Sequence, residues 1–134
     1  AEASSSGTAV PYLRTWNAVD DLPELREHYT PPPHFIDGFS RLDEGARPPF
    51  EWLFIGPSGA KTVLHEDIWG TDAWLAQLQG RKHFQLYHPA HRRYLETDGV
   101  LVDPSNPDLD AYPDFRKATA VETILMPGEV IYIP

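Results

Sequence analysis

The stretch LHEDIWG, residues 64–70, carries the first arrangement of side chains able to do chemistry. His65 and Asp67 are two apart, so on an extended backbone an imidazole and a carboxylate emerge on the same side while Glu66 points away. Held together, these groups are two of the three protein ligands of a facial two-histidine, one-carboxylate iron site, whose opposite positions stay open for substrate and oxygen. Alone the triplet is a weak signal, because a surface His-Asp pair reads the same way. A further charged position lies in LQGRKHFQLYHP, residues 78–89, where Gly80 marks a tight turn. Alternation after that turn sets Lys82, Phe84 and Leu86 on one face and His83, Gln85 and Tyr87 on the other. A lysine in apolar company either snorkels to water at the strand end or meets an anion such as a ligand carboxylate.

Strands must position these groups, and the pattern predicts them at residues 10–16, 51–55, 62–65, 73–78, 83–87, 121–125 and 130–133. The 14 prolines, against about 5% in average usage, disfavour long helices and favour strands joined by rigid loops. One short helix is expected, with Asp20-Asp21 as its cap, Leu22, Leu25 and Tyr29 along it, and the prolines at 31–33 as its stop. Everything after Phe50 reads as β-structure, with Pro127-Gly128 in the centre of a type II turn ahead of the last strand. Between the strands ending at Tyr87 and starting at Val121, residues 88–120 form a long insertion rich in Pro, Asp and Asn. It is expected as an irregular surface excursion over the mouth of whatever the strands enclose. Short strands with Gly and Pro turns suggest an antiparallel sandwich or barrel with one unpaired edge.

Composition bounds the function. At 134 residues and 41% hydrophobic, the chain suits one compact domain over residues 10–134 behind a flexible Ser-rich arm at 1–9. With 11 Lys and Arg against 20 Asp and Glu, the formal net charge of -9 disfavours wrapping by a phosphate backbone, so nucleic acid is not the expected partner. The basic triplets RKH at 81–83 and HRR at 91–93 read as solvated turns. The absence of cysteine excludes disulfide scaffolds and thiolate metal sites. No apolar run approaches the roughly 20 residues of a membrane span, and a cytoplasmic protein is expected.

The segment HEDIWGTDAWLAQLQGRKHFQLYHP, residues 65–89, resembles the core of the JmjC oxygenases of the cupin superfamily. There a His-x-Asp is followed by Gly-Thr-x-Ala-Trp and a Gly-x-Lys turn. EWLFIGPSGAKTVLHED at 51–67 matches the preceding strand pair. VDPSNPDLDAYPDF and ETILMPGEVIYIP are similar to the asparaginyl hydroxylases, and RPPFEW and GTDAW look closer to the lysyl hydroxylases. The resemblance implies a mainly β fold, a double-stranded β-helix of the jelly-roll, cupin type with a short N-terminal helix. It implies Fe(II) on His65 and Asp67, with Lys82 pairing the distal carboxylate of 2-oxoglutarate and Thr62 hydrogen-bonding the same group. Tyr12 matches a tyrosine that helps hold this cosubstrate, and equally reads as a core strand aromatic. Trp52 and Trp74 are expected in the core, while Leu75 stands where a relative has a cosubstrate-contacting asparagine.

In the family the segment PGEVIYIP runs on to a histidine that is the third metal ligand, and to an eighth strand. Neither is in this sequence, so an incomplete domain, inactive alone, is expected. The implied reaction uses oxygen and 2-oxoglutarate to hydroxylate a protein or peptide side chain, with succinate and CO2 as coproducts and the 88–120 insertion helping to choose the substrate. Two other readings stay open: a non-catalytic cupin-like binding module, and an oxygenase acting on RNA or a small molecule. Demethylation, through hydroxylation of an N-methyl carbon, is a minor alternative. The substrate and the oligomeric state are not legible in the sequence.

Overall fold

Among residues 11–134, the residues that the computed structural model describes, the strands pair two by two in four separate antiparallel sheets. The expected arm at 1–9 and the expected strand start at Val10 lie outside them. Two compact units are present, one reaching to Lys61 and the other running from Thr62 to Pro134.

In the first unit, β1 (Leu13–Trp16) is followed by one α-helical turn, α1 (Ala18–Asp21), and then by a 3-10 turn at Pro23–His28. The longer capped helix expected through Tyr29 is thereby corrected. Asn17 takes the N-cap position, and Asp20 and Asp21 lie inside the first turn, where negative charge suits the helix dipole. Pro23 then opens a tighter helix. The buried residues of the helical turn are Ala18 and Val19. The strand β2 (Leu53–Ile55) pairs with β1, Leu13 opposite Ile55 and Trp16 opposite Leu53. Three steps on one strand thus face two on the other, and Thr15 absorbs the extra residue at φ 57°. Rings line this unit: Phe39 to Phe50 at 5.7 Å, Phe50 to Trp52 at 5.3 Å, Trp52 to Phe54 and Phe54 to Tyr12 at 6.5 Å each. Gly56 lets Tyr12 approach, since a Cβ there would lie 2.5 Å from Tyr12 Cδ2.

The second unit starts with an irregular stretch and a 3-10 turn at Ile68–Gly70, then β3 (Ala73–Ala76) and β4 (Lys82–Tyr87). Gly80, at φ 76°, makes the turn between them. A 3-10 turn at Pro89–His91 leads into α2 (Arg92–Leu95), and the hairpin of β5 (Glu96–Thr97) and β6 (Val100–Leu101) follows. Asp98 and Gly99, at φ 52° and 78°, form its two-residue loop, the Asp-Gly pairing that a primed turn requires. A 3-10 turn at Phe115–Lys117 precedes β7 (Ala120–Leu125), and β8 (Val130–Ile133) ends the unit. Between them Gly128 sits at φ 87° and Glu129 N donates to Met126 O at 3.0 Å, the type II turn expected at Pro127-Gly128.

The pairing is nested: β4 pairs with β7 inside, β3 with β8 outside. On the β3–β8 ladder, Ala73, Leu75, Ile131 and Ile133 share a half-buried face, and Trp74 and Tyr132 stand opposite each other on the exposed one. Trp74 is 37% exposed, so its expected place in the core is corrected. Leu78, expected to end that strand, is 75% exposed and lies past β3.

The 88–120 segment departs most from expectation. It is irregular only in part: it contains α2, the β5–β6 hairpin and, among the described residues, two of the best-buried side chains, Leu95 and Val102, at 4% and 2% exposure. Val102 N donates to Leu95 O at 2.8 Å, Tyr112 Oη donates to Val100 O, and Thr97 Oγ1 donates to Ala111 O, so the segment closes on itself. Its helical turns also correct the expectation of β-structure throughout the region after Phe50.

Truncating buried Leu95 to alanine is expected to cost about 2–4 kcal/mol, because it removes buried methyl groups and leaves a cavity in the insertion. Urea unfolding measures this, with a shift in midpoint and an unchanged slope as the expected signature. On the exposed face, the Tyr132 phenol donates to Asp72, which raises its pKa. The contact exists only while the phenol is protonated, so its contribution is full below the ordinary tyrosine range and is lost as pH rises through the raised pKa. Site-resolved tyrosine NMR should show Tyr132 ionising later than a free phenol, and Asp72→Ala should return it to the ordinary range.

Candidate metal centre

Residues 62–67 hold the chemistry and lie outside any strand, which corrects the strand expected at 62–65. Without a ladder, local hydrogen bonds shape the stretch. Gly70 N donates to Asp67 O at 3.0 Å and Thr71 N to Ile68 O at 3.2 Å, turning the chain sharply after Asp67 toward β3. Trp69, at φ 60°, takes the left-handed conformation within that turn.

His65 and Asp67 nevertheless come together on one side: His65 Nε2 lies 3.2 Å from Asp67 Oδ1. On its other ring nitrogen, His65 Nδ1 lies 2.8 Å from Val63 O. A carbonyl only accepts, so Nδ1 carries a hydrogen, and in the neutral ring Nε2 is then a bare lone pair aimed at a carboxylate. Two acceptors at that separation repel unless a proton or a cation lies between them. The side chains are 54% and 36% exposed, which leaves the pair open to an incoming ion. An imidazole with Nδ1 fixed on a backbone carbonyl and Nε2 free for a metal is the usual arrangement of a histidine ligand. The donor set therefore fits two positions of a hard or borderline divalent ion. Among the described residues, no group of three His, Cys, Asp or Glu side chains converges as a metal site.

Lys82 opens β4 opposite buried Leu125, its Nζ 5.3 Å from the centre of the Phe84 ring. Contact between residues two apart places both on one face, as alternation requires. Thr62 is half-buried at the start of the same unit. Tyr12 belongs to the first unit, where its ring packs on Gly56 and Phe54.

The remaining histidines of this unit have local roles. On the other face of β4, His83 Nε2 lies 3.0 Å from Glu122, and Gln85 donates to the same carboxylate at 3.1 Å. These hydrogen bonds, Gln85 first and His83 second, hold the Glu122 carboxyl below the usual range. His88 Nδ1 accepts from Ala90 N and His91 Nδ1 from Thr119 N, so backbone amides occupy both.

One partner escaped the sequence reading. Glu66, between the two candidate ligands, points away as expected and reaches Arg92 of α2, its Oε1 2.6 Å from Nη1. Nothing in the spacing could have revealed a pair separated by a turn, two strands and the start of the insertion.

A family pattern described as cupin-like domain matches residues 1–134. The chain is 35% identical to lysine-specific demethylase 8 of Danio rerio over 133 residues, covering 93% of this chain and 31% of that protein. It is 36% identical to lysine-specific demethylase JMJ21 of Arabidopsis thaliana, covering 93% of this chain and 16% of that one. It is 30% identical to the 2-oxoglutarate and iron-dependent oxygenase JMJD4 of Gallus gallus, covering 92% and 31%. The chain thus spans a third or less of the length of these relatives. With the pattern matched along the whole sequence and the His-x-Asp pair held side by side, the chain belongs to the cupin-like (JmjC) domain family.

Proposed function

We propose that this chain supplies metal and cosubstrate ligands to a 2-oxoglutarate-dependent oxygenase that hydroxylates a protein or peptide side chain. The observation that carries the reading is the His65–Asp67 pair, an imidazole nitrogen and a carboxylate oxygen 3.2 Å apart on one side of the stretch. The names of the relatives support it, since one is a 2-oxoglutarate and iron-dependent oxygenase and others are lysine-specific demethylases. The nested pairing of β3 with β8 and β4 with β7 supports the double-stranded β-helix as the architecture.

Bound at this pair, Fe(II) with 2-oxoglutarate and oxygen would supply the oxidising power for C–H hydroxylation, leaving succinate and CO2. The residues of the chain bind and orient. His65 offers Nε2 because Val63 O keeps the proton on Nδ1, and Asp67 offers a carboxylate already pointed at the same spot. Lys82, at the start of β4, would present its ammonium to the distal carboxylate of 2-oxoglutarate, and Thr62 would add a hydroxyl donor to that group. For Tyr12, a part in holding the cosubstrate rests on the family resemblance alone. A protein substrate accords with the acidic chain, which suits a basic peptide better than a phosphate backbone.

Mn(II) binding followed by water-proton relaxation, with and without 2-oxoglutarate, tests the reading. Binding that tightens with 2-oxoglutarate and disappears in His65→Ala is expected. Lys82→Ala should retain the metal and weaken 2-oxoglutarate by about 10- to 100-fold, the loss expected for a charged hydrogen-bonded contact. Metal binding indifferent to His65→Ala would remove the proposal. In turnover with a peptide, a stable alcohol marks hydroxylation, whereas formaldehyde release would mark demethylation instead.

A further inference from the structure

The ligand-bearing stretch 62–67 has no ladder hydrogen bonds, yet its two candidate ligands are aligned. Besides its local hydrogen bonds, an ion pair between Glu66 and Arg92 ties the outward side of the stretch to the insertion. Arg92 Nη1 contacts Glu66 Oε1 at 2.6 Å, while its Nε donates to Glu96 one helical turn on. A planar guanidinium bridging two carboxylates is oriented by the first contact for the second, so less side-chain freedom is lost per bond than in an isolated pair.

Arg92 itself stands on a firm base. It opens α2, whose Leu95 is buried at 4% exposure, and Val102 at 2% exposure ties back to Leu95 through its amide. The line therefore runs from the best-packed part of the insertion through α2 and Arg92 to the residue lying between His65 and Asp67. Because alternate side chains project oppositely, a pull on Glu66 turns both neighbours toward the other side together.

We propose that Arg92 is a positioning residue: through Glu66 it locks the His-x-Asp stretch onto the insertion and holds the candidate metal ligands in register. The metal part of this inference rests on the function proposed above, while the locking itself does not. The insertion would then act on the centre from behind as well as on the substrate. Any ligand that moves α2 would change metal affinity.

Hydrogen–deuterium exchange by mass spectrometry on the protein and on Arg92→Ala, Glu66→Gln, their double variant and Arg92→Lys provides the test. Exchange across residues 62–67 should rise about threefold in either single loss, a factor typical of one exposed ion pair. No further rise is expected in the double variant, and Arg92→Lys should be intermediate. Exchange in the β4–β7 ladder should stay unchanged, and Mn(II) affinity should fall by the same factor as the local protection. Unchanged exchange at 62–67, or an equal rise throughout the unit, would overturn the proposal. Should His65→Ala leave Mn(II) binding intact, the metal reading fails, and the exchange data still decide whether Arg92 locks the stretch.

Discussion

A single hydrogen bond decides what the candidate centre can be. With Nδ1 of His65 donating to Val63 O, the neutral imidazole must turn its lone pair toward Asp67, and the pair becomes a site that attracts a cation. Were the ring flipped or the other tautomer present, Nε2–H would donate to the carboxylate and the two groups would satisfy each other. The difference lies in one backbone carbonyl two residues upstream. That carbonyl is free to accept because the stretch is not part of a ladder, where its acceptor would be engaged. The irregular backbone at 62–67 is thus part of the chemistry.

Irregular backbone needs support from elsewhere, and the second unit provides it in an unexpected place. Its tightest packing is in the insertion between β4 and β7, where Leu95 and Val102 are buried, while the ladders keep one face half-exposed. Val121 and Ile124 on β7 and Val130 and Tyr132 on β8 are all more than 40% exposed. Side chains there contribute little burial free energy, so strand pairing and the insertion core carry more of the order. A charged bridge from that core to the ligand stretch combines a rigid base with a polar contact that tolerates water.

Several elements were legible because their causes are local. The alternation of Lys82 and Phe84 against His83 and Gln85 follows from strand geometry, and the Pro127-Gly128 turn from the one residue type at ease at φ 87°. The Asp98-Gly99 hairpin was equally local and could have been read from its dipeptide, but the surrounding prolines, aspartates and asparagine suggested an irregular surface excursion. The strand expected at 62–65 and the longer helix after Asp21 failed for a different reason. The strand rested on a pattern too short to separate strand from turn, and the helix on Asp20-Asp21 as its cap, whereas Asn17 takes that position and Pro23 opens a tighter helix.

By itself the sequence determined which groups exist and at what separation: an imidazole and a carboxylate two residues apart, a lysine behind a glycine turn, a set of short strands, and a family pattern that links them. These depend on covalent spacing and on backbone preferences that act within a few residues. Only the tertiary structure decided which nitrogen of His65 is available, that Trp74 faces outward, that the Pro-rich insertion holds a core, and that Glu66 is paired with Arg92. Each is a contact between atoms distant in the chain, or a choice between rotamers of nearly equal local energy. Such choices are made by packing and charge in three dimensions, where spacing along the sequence carries no information.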